Sequence, residues 1–268
     1  MKLPIYTLTK SETGKKDLPV QFSELIRPDL IERAVFTIQS NKRQPYGADP
    51  RAGLRHCGNL SRRRNNYKTS YGHGISRVPR KILSSRGTRF NWAGAIAPGT
   101  VGGRRAHPPK ADKVWSQKIN KKERRKAIRS ALAATVVIQL VTERGHKIPE
   151  HYPFIFENKL EDLEKTCDIK KLLETFGFSD ELTRSSVKKV RAGKGKMRGR
   201  KYKTRKGPLL VVSKECKLLK SAKNIPGLDV VEVSKLNAEL LAPGTTMGRL
   251  TLFTEAAIEK LEKEKLFM

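Results

Sequence analysis

Leu209-Leu210-Val211-Val212 is apolar at every position. A strand with one face in water alternates apolar and polar residues. A run without alternation belongs to a sheet covered on both faces, the usual setting of parallel strands between helical layers. The same rhythm continues outward from this run. Towards the C-terminus, Lys214–Ala222 reads as helix, Asp229–Val233 as strand, Leu236–Leu241 as a short helix and Leu250–Phe253 as strand. Thr254 is placed to cap a last helix containing Ile258 and Leu261. Towards the N-terminus, Phe154-Ile155-Phe156 is a short apolar run, followed by helical segments around Lys159–Glu164, Ile169–Phe176 and Asp180–Val190. Strands alternating with helices predict an α/β fold: a three-layer domain with a mainly parallel sheet and right-handed crossovers.

The first 40 residues fit the same plan. Leu3–Leu8 alternates weakly and reads as a first strand. Ser11–Lys16 is a polar turn, and Val20 and Phe22 extend an edge hairpin. Pro28 suits the first turn of a helix in which Leu30, Ile31, Ala34, Val35 and Ile38 recur at helical spacing to about Ser40. Further on, Asn120 with Glu123 forms the pattern of a capping box and predicts a helix running to about Arg144, stopped by Gly145. The first turns of that helix hold Lys121, Lys122, Arg124, Arg125, Lys126 and Arg129. Cations oppose the dipole at a helix N-terminus, which suggests an external anion or a solvated face.

Between these helices the pattern fails. From Lys42 to Lys110 no helical or strand period survives more than a few residues. The segment carries Arg43, Arg51, Arg55, Arg62, Arg63, Arg64, Arg77, Arg80, Arg86, Arg89, Arg104 and Arg105, with Lys42, Lys68, Lys81 and Lys110, against the single acid Asp49. A second run, Lys188–Lys206, holds eleven cations and no acid. The two runs account for +26 of the net charge of +31, so the remaining chain is nearly neutral. The whole of 1–268 is therefore read as one α/β domain with an extended basic arm, 42–110, inserted in it. A segment this polar cannot bury enough apolar surface to offset the entropy of ordering it, and the arm is expected to order on a polyanion. Half of its 69 residues, fully extended, reaches roughly 100 Å at about 3.3 Å per residue.

The chemistry narrows the polyanion. No apolar stretch approaches the roughly 18 residues of a membrane span, and the basic runs lack the amphipathic period of a membrane-surface helix, so no membrane partner is expected. Cys57, Cys167 and Cys216 are far apart and show no zinc-ligand spacing, and no metal or cofactor is expected. Gly193, Gly195 and Gly199 have the wrong spacing for a dinucleotide fingerprint and follow a basic helix rather than a strand. His146 and His151 flank a loop and read as structural polar groups. An RNA-modifying enzyme with a nucleotide cofactor in the sheet is the alternative function; the missing glycine fingerprint argues against it. Tyr46, Tyr67, Tyr71, Phe90 and Trp92 are interleaved with the arm's arginines, where they either pack on one another or stack on unpaired bases. No recognition helix, zinc finger or zipper exists to read a major groove, which favours RNA over DNA.

Particular motifs then carry a resemblance. They are Asn41-Lys42-Arg43-Gln44-Pro45-Tyr46-Gly47, Gly74-Ile75-Ser76-Arg77-Val78-Pro79-Arg80, and the run from Ala97-Pro98-Gly99-Thr100 through Arg104-Arg105-Ala106-His107-Pro108-Pro109. Arg191-Ala192-Gly193-Lys194-Gly195-Lys196-Met197-Arg198-Gly199-Arg200 and Leu240-Leu241-Ala242-Pro243-Gly244-Thr245 complete the set. Across essentially the whole chain the sequence resembles the L-four family of large-subunit ribosomal proteins in its archaeal and eukaryotic form. Lacking the long basic extension of eukaryotic members, it is similar to the archaeal type. One departure falls at Tyr67–His73, where a tryptophan is often seen before the Gly-x-Gly step.

The resemblance implies a structural, non-catalytic protein of the cytoplasmic ribosome. Its partners would be large-subunit (23S-type) RNA and neighbouring proteins, including one of the L-twenty-two family, rather than a second copy of itself. The expected RNA contacts are the sixteen cations of the arm with Arg191, Lys194, Lys196, Arg198, Arg200, Lys201 and Arg205. The arm's middle, with Arg77, Arg80, Arg86, Arg89, Phe90 and Trp92, would line the nascent-chain exit tunnel. Regulatory binding of messenger RNA by the free protein is a further activity the resemblance leaves open.

Overall fold

The computed structural model describes residues 1–66 and 68–268. They fall into two compact units: a body of Met1–Lys42 and Ser116–Met268, and an arm of Arg43–Trp115. Tyr67, one of the arm's aromatic residues, lies outside the described residues.

The body is built on a six-stranded sheet. Its strands are β1 (Lys2–Tyr6), β2 (Glu12–Asp17), β5 (Ile155–Phe156), β8 (Leu209–Val212), β9 (Asp229–Glu232) and β10 (Thr251–Thr254), in the order β2-β1-β5-β10-β8-β9. Only β2 runs antiparallel to its neighbour; β1, β5, β10, β8 and β9 are parallel. Helices cover both faces: α1 (Pro28–Asn41), α2 (Lys121–Val136), α3 (Ile138–Glu143), α4 (Thr166–Thr175), α5 (Ser179–Ser186), α6 (Leu218–Ser221), α7 (Ala238–Leu241) and α8 (Glu255–Lys263).

Strand β8 shows why its four residues are all apolar. Leu209 and Val211 enter one core with Ile31 and Val35 of α1, Leu132 of α2, Leu241 of α7 and Ile258 of α8. Leu210 and Val212 enter the other with Val141 of α3, Leu173 of α4, Leu182 of α5 and Leu218 of α6. Successive side chains of a strand point to opposite faces, so two cores demand an uninterrupted apolar run. The second core includes an aromatic knot: Phe154 stacks on Phe176 with ring centroids 5.2 Å apart, and Phe156 meets Phe176 edge-on at 4.9 Å.

Several local expectations are corrected. The edge hairpin places its return strand at β2, and Val20–Phe22 is a single 3-10 turn instead. The helix expected from Asn120 to Arg144 breaks at Val137, whose backbone is extended (φ −83°, ψ 105°). Three β-branched residues, Val136, Val137 and Ile138, meet at the break, and the Tyr152 hydroxyl donates to the Thr135 carbonyl that the break leaves without a helical donor. Asn120 precedes α2 without a side-chain cap, and Glu123 pairs with Arg33 at 2.9 Å rather than closing a capping box. Lys159–Glu164 holds a 3-10 turn at Asn158–Asp162, not an α-helix. Thr254 does cap α8, its hydroxyl accepting from the Ala257 amide.

The carboxyl ends of β8 and β10, where many α/β proteins open a ligand crevice, are joined by hydrogen bonds. Buried Glu161 accepts from the Ser213 amide (2.8 Å), the Ser213 hydroxyl (2.7 Å) and the Thr254 hydroxyl (2.6 Å).

Candidate nucleic-acid interface

The arm is held by backbone pairing and small residues rather than by a large core. Its outgoing and returning legs meet where the Ala48 amide donates to the Pro109 carbonyl at 2.9 Å. At Gly53 (φ +77°) a Cβ would lie 2.5 Å from the Arg104 Cα, so this crossing needs glycine on both conformational and steric grounds. Higher up, Thr100 donates to the Ala97 carbonyl (2.7 Å) and the Gly103 amide to the Thr100 carbonyl (3.0 Å), folding the returning leg around buried Ala95. Asp49 accepts from the Arg51 amide at 2.9 Å and pairs with Arg55, so the arm's one predicted acid is spent on shaping a turn.

Contrary to the expectation of a wholly irregular loop, the distal part forms a hairpin, β3 (Arg80–Arg86) with β4 (Arg89–Gly94). The turn between Arg86 and Arg89 is Gly87-Thr88, with Gly87 at φ +57°. A register shift between Ile82 and Ser84 interrupts the alternation that would have marked these strands, and Leu83 stands 62% exposed. Phe90 and Trp92 lie on β4 with centroids 5.8 Å apart. The Arg80 guanidinium stands 5.7 Å from the Trp92 ring and donates to the carbonyl and hydroxyl of Ser76 at 3.1 and 3.0 Å. A cleft of about 610 Å³ is lined by Phe90, Trp92, Lys68, His73 and Arg89 among others.

The other arm aromatics meet cations. Arg43 lies 3.7 Å from the centroid of Trp115, which stacks on Tyr46 (5.7 Å, 21°), and Arg77 lies 4.4 Å from Tyr71. Trp115 had no place among the predicted aromatics; it follows the arm's last predicted residue, and only its spacing from Tyr46 in the fold reveals the clasp.

The predicted cations divide by environment. Lys42, Arg43, Arg51, Arg55, Arg62, Arg63, Arg64, Lys68, Arg77, Arg86, Arg89, Arg104, Arg105 and Lys110 are exposed, whereas Arg80 and Lys81 are half-buried. Lys42 belongs to the body and pairs with Glu239. Arg62, Arg63, Arg64, Arg86, Arg89, Arg104 and Arg105 have no ion pair among the described residues.

The second basic run is a hairpin of the body, β6 (Lys189–Val190) with β7 (Tyr202–Lys203). The glycine-rich loop therefore follows a two-residue strand, not the expected basic helix; α5 ends at Ser186, before Lys188 and Lys189. Gly193 and Gly199, both at φ +78°, turn the loop at each end of a 3-10 segment. Arg191 folds back into it: its Nε donates to the Arg200 carbonyl (3.1 Å) and its Nη2 to the Tyr202 carbonyl (3.4 Å). It shapes the loop, while Lys194, Lys196, Arg198, Arg200, Lys201 and Arg205 face solvent.

Below this hairpin is a network the sequence did not announce. Glu181, fully buried, accepts from Arg184 Nη2 (2.6 Å), Arg184 Nε (2.7 Å) and the Lys147 amide (2.9 Å). His146 Nδ1 lies 2.7 Å from Glu181; a carboxylate only accepts, so Nδ1 carries the proton. Burial pushes the His146 pKa below its ordinary value, overriding the upward pull of Glu181, while Arg184 and Arg144 add smaller contributions in the same direction as burial. Burial alone would raise Glu181, but the donors from Arg184, His146 and Lys147 hold it below the usual carboxylate range. Arg249, with no exposed surface, pairs with Asp229 at 2.6 Å and donates to the carbonyls of Gly207, Leu240 and Pro208.

Comparison with known proteins gives a consistent picture. The model of the ribosomal protein L4/L1 family matches residues 17–264. The chain is 52% identical to the large ribosomal subunit protein uL4 of Nanoarchaeum equitans over the full length of both. It is 43% identical to the protein of that name from Archaeoglobus fulgidus, over 97% of this chain and 98% of that one. Against the one from Methanococcoides burtonii it is 45% identical, over 96% of each.

Proposed function

The chain belongs to the ribosomal protein L4/L1 family, and from that premise we propose that it binds large-subunit RNA of the 23S type, supports subunit assembly, and lines the exit tunnel with its arm. It is a ribosomal protein of the large subunit, a cytoplasmic ribonucleoprotein component in translation and not an enzyme. The observation that carries the RNA reading is the set of exposed arginines, Arg62, Arg63, Arg64, Arg86, Arg89, Arg104 and Arg105, without acidic partners among the described residues. Unpaired cations fixed in place release counterions from a phosphate backbone when they bind it. Lys194, Lys196, Arg198, Arg200, Lys201 and Arg205 add a second set of phosphate contacts.

Arg86 and Arg89 flank the hairpin turn and, with Phe90 and Trp92 behind them, form the part assigned to the tunnel wall. Arg77 in the preceding loop and Arg80 at the start of β3 support it, and an L-twenty-two family protein is the expected neighbour. The test is the salt dependence of binding to large-subunit RNA. About ten phosphate contacts give a log–log slope of roughly −7 to −9; a slope near zero would refute the reading.

A further inference from the structure

The body carries a cleft of about 930 Å³ bounded by Glu143, Arg144 and His146 at the end of α3, by Lys189 and Lys203 of the small hairpin with Arg205 just beyond it, and by Pro243, Gly244 and Thr246. Its cations fall into two groups. Arg184 and Lys206 also reach it but are matched, to Glu181 and Asp229. Arg144, Lys189, Lys203 and Arg205 have no acidic partner among the described residues. Among the described residues, exposed Glu143 is the only acid on the lining.

Arg144 stands out among them. Its guanidinium is half-buried, yet it bonds only to main-chain carbonyls, Pro243 at 2.6 Å and Met247 at 3.5 Å. Burial and the positive neighbours Arg249 and Arg184 draw its pKa down to about 10. A partly desolvated cation with no counter-charge is unfavourable in the isolated protein and becomes favourable once an anion arrives. The one ring on the described lining, His146, is buried against Glu181, and no Phe, Tyr or Trp is there, so the cleft offers no platform for stacking a base. Its volume far exceeds one phosphate group.

We propose that this cleft, with Arg144 at its floor and Lys189, Lys203 and Arg205 at its rim, is a second RNA site that takes a run of phosphodiester backbone. The inference rests on the reading of the protein as a binder of large-subunit RNA. It extends the contacts of the second basic run, in which Arg205 is already placed, and adds Lys189, Lys203 and Arg144, the last outside both basic runs.

The test uses the full chain and a transcript of archaeal 23S-type RNA. In the variant Arg144→Gln/Lys189→Ala/Lys203→Ala, which spares every cation already assigned to RNA, the log–log salt slope should fall in magnitude by about 2–3, at roughly 0.7–0.9 per lost contact, with the circular-dichroism melt unchanged. As a second readout on the unmutated protein, RNA should protect Lys189 and Lys203 from acylation by an N-hydroxysuccinimide ester, while exposed Lys171 of α4 stays reactive. A wild-type slope in the folded variant, or free acylation of Lys189 and Lys203 while Lys81 and Lys110 of the arm are protected, overturns the cleft and leaves the RNA reading standing. Protection seen only in whole subunits also overturns it, since a neighbouring protein would then fill the cleft. A wild-type slope near zero overturns the reading beneath it.

Discussion

The body and the arm solve the same problem, fixing a backbone, by opposite means. The body buries apolar side chains on both faces of a sheet and matches its buried charges: Arg249 with Asp229, Arg184 with Glu181. The arm has almost nothing to bury. It brings main chains together through Gly53 and Gly103, buries little more than Ala95, Thr69 and Ser70 among the described residues, and leaves Arg62, Arg63, Arg64, Arg86, Arg89, Arg104 and Arg105 without an ion pair among them. Charge pairing therefore marks the charges that the fold keeps for itself, and unmatched charge, on the arm and around Arg144 of the body alike, marks surface offered to a partner.

The sharpest test of this contrast is in the aromatic knot. Phe154→Ala removes a ring that contacts Tyr6, Phe156, Phe176 and Phe178 and should cost about 3–5 kcal/mol in denaturant unfolding. Alanine at any of Arg62, Arg63 or Arg64 should move the same midpoint by less than about 0.5 kcal/mol. A comparable loss from both would break the distinction. Next in size is Gly53→Ala, which forces a positive φ on alanine and a 2.5 Å approach to Arg104. The legs of the arm should part, with faster amide exchange at Ala48 and an unchanged melting temperature for the body. Slow exchange at Ala48 would show that the crossing does not depend on glycine.

The smallest effect is on pH. His146 is held neutral below its ordinary pKa of about 6.5, so near that pH the unfolded chain takes up a proton that the folded one refuses. Its contribution to stability is present above about pH 6.5 and is lost as the pH falls below it. Calorimetric melting should drop by a few degrees from pH 7.5 to 5.5, and His146→Gln should flatten that drop. An identical pH profile in the variant would remove His146 from the account.

Legibility follows the same divide. The β8 strand was readable to the residue because two apolar faces leave an unbroken run, and the Thr254 cap because a hydroxyl one residue before a helix has one obvious use. The β3–β4 hairpin was hidden by the register shift at Leu83 and by arginines at both ends, which erase the period of two. The break at Val137 was hidden because α2 and α3 carry one continuous apolar pattern, and the hydroxyl that stabilises the break comes from Tyr152. In the candidate interface, the exposed cations were legible as charge without acids. Arg144 was not, because nothing in its sequence neighbours records that it is half-buried and without a carboxylate.

Strand β8 has a consequence for which substitutions the chain tolerates. Where one face of a strand meets water, every second position accepts a polar residue at little cost. At Leu209, Leu210, Val211 and Val212 no such position exists, and each is confined in volume by its own core. At Arg62, Arg63 and Arg64 only the sign of the charge is confined, and lysine preserves it. The four residues of β8 are thus among the most restricted in the molecule, while the arginines proposed to meet RNA have a wider choice of replacement.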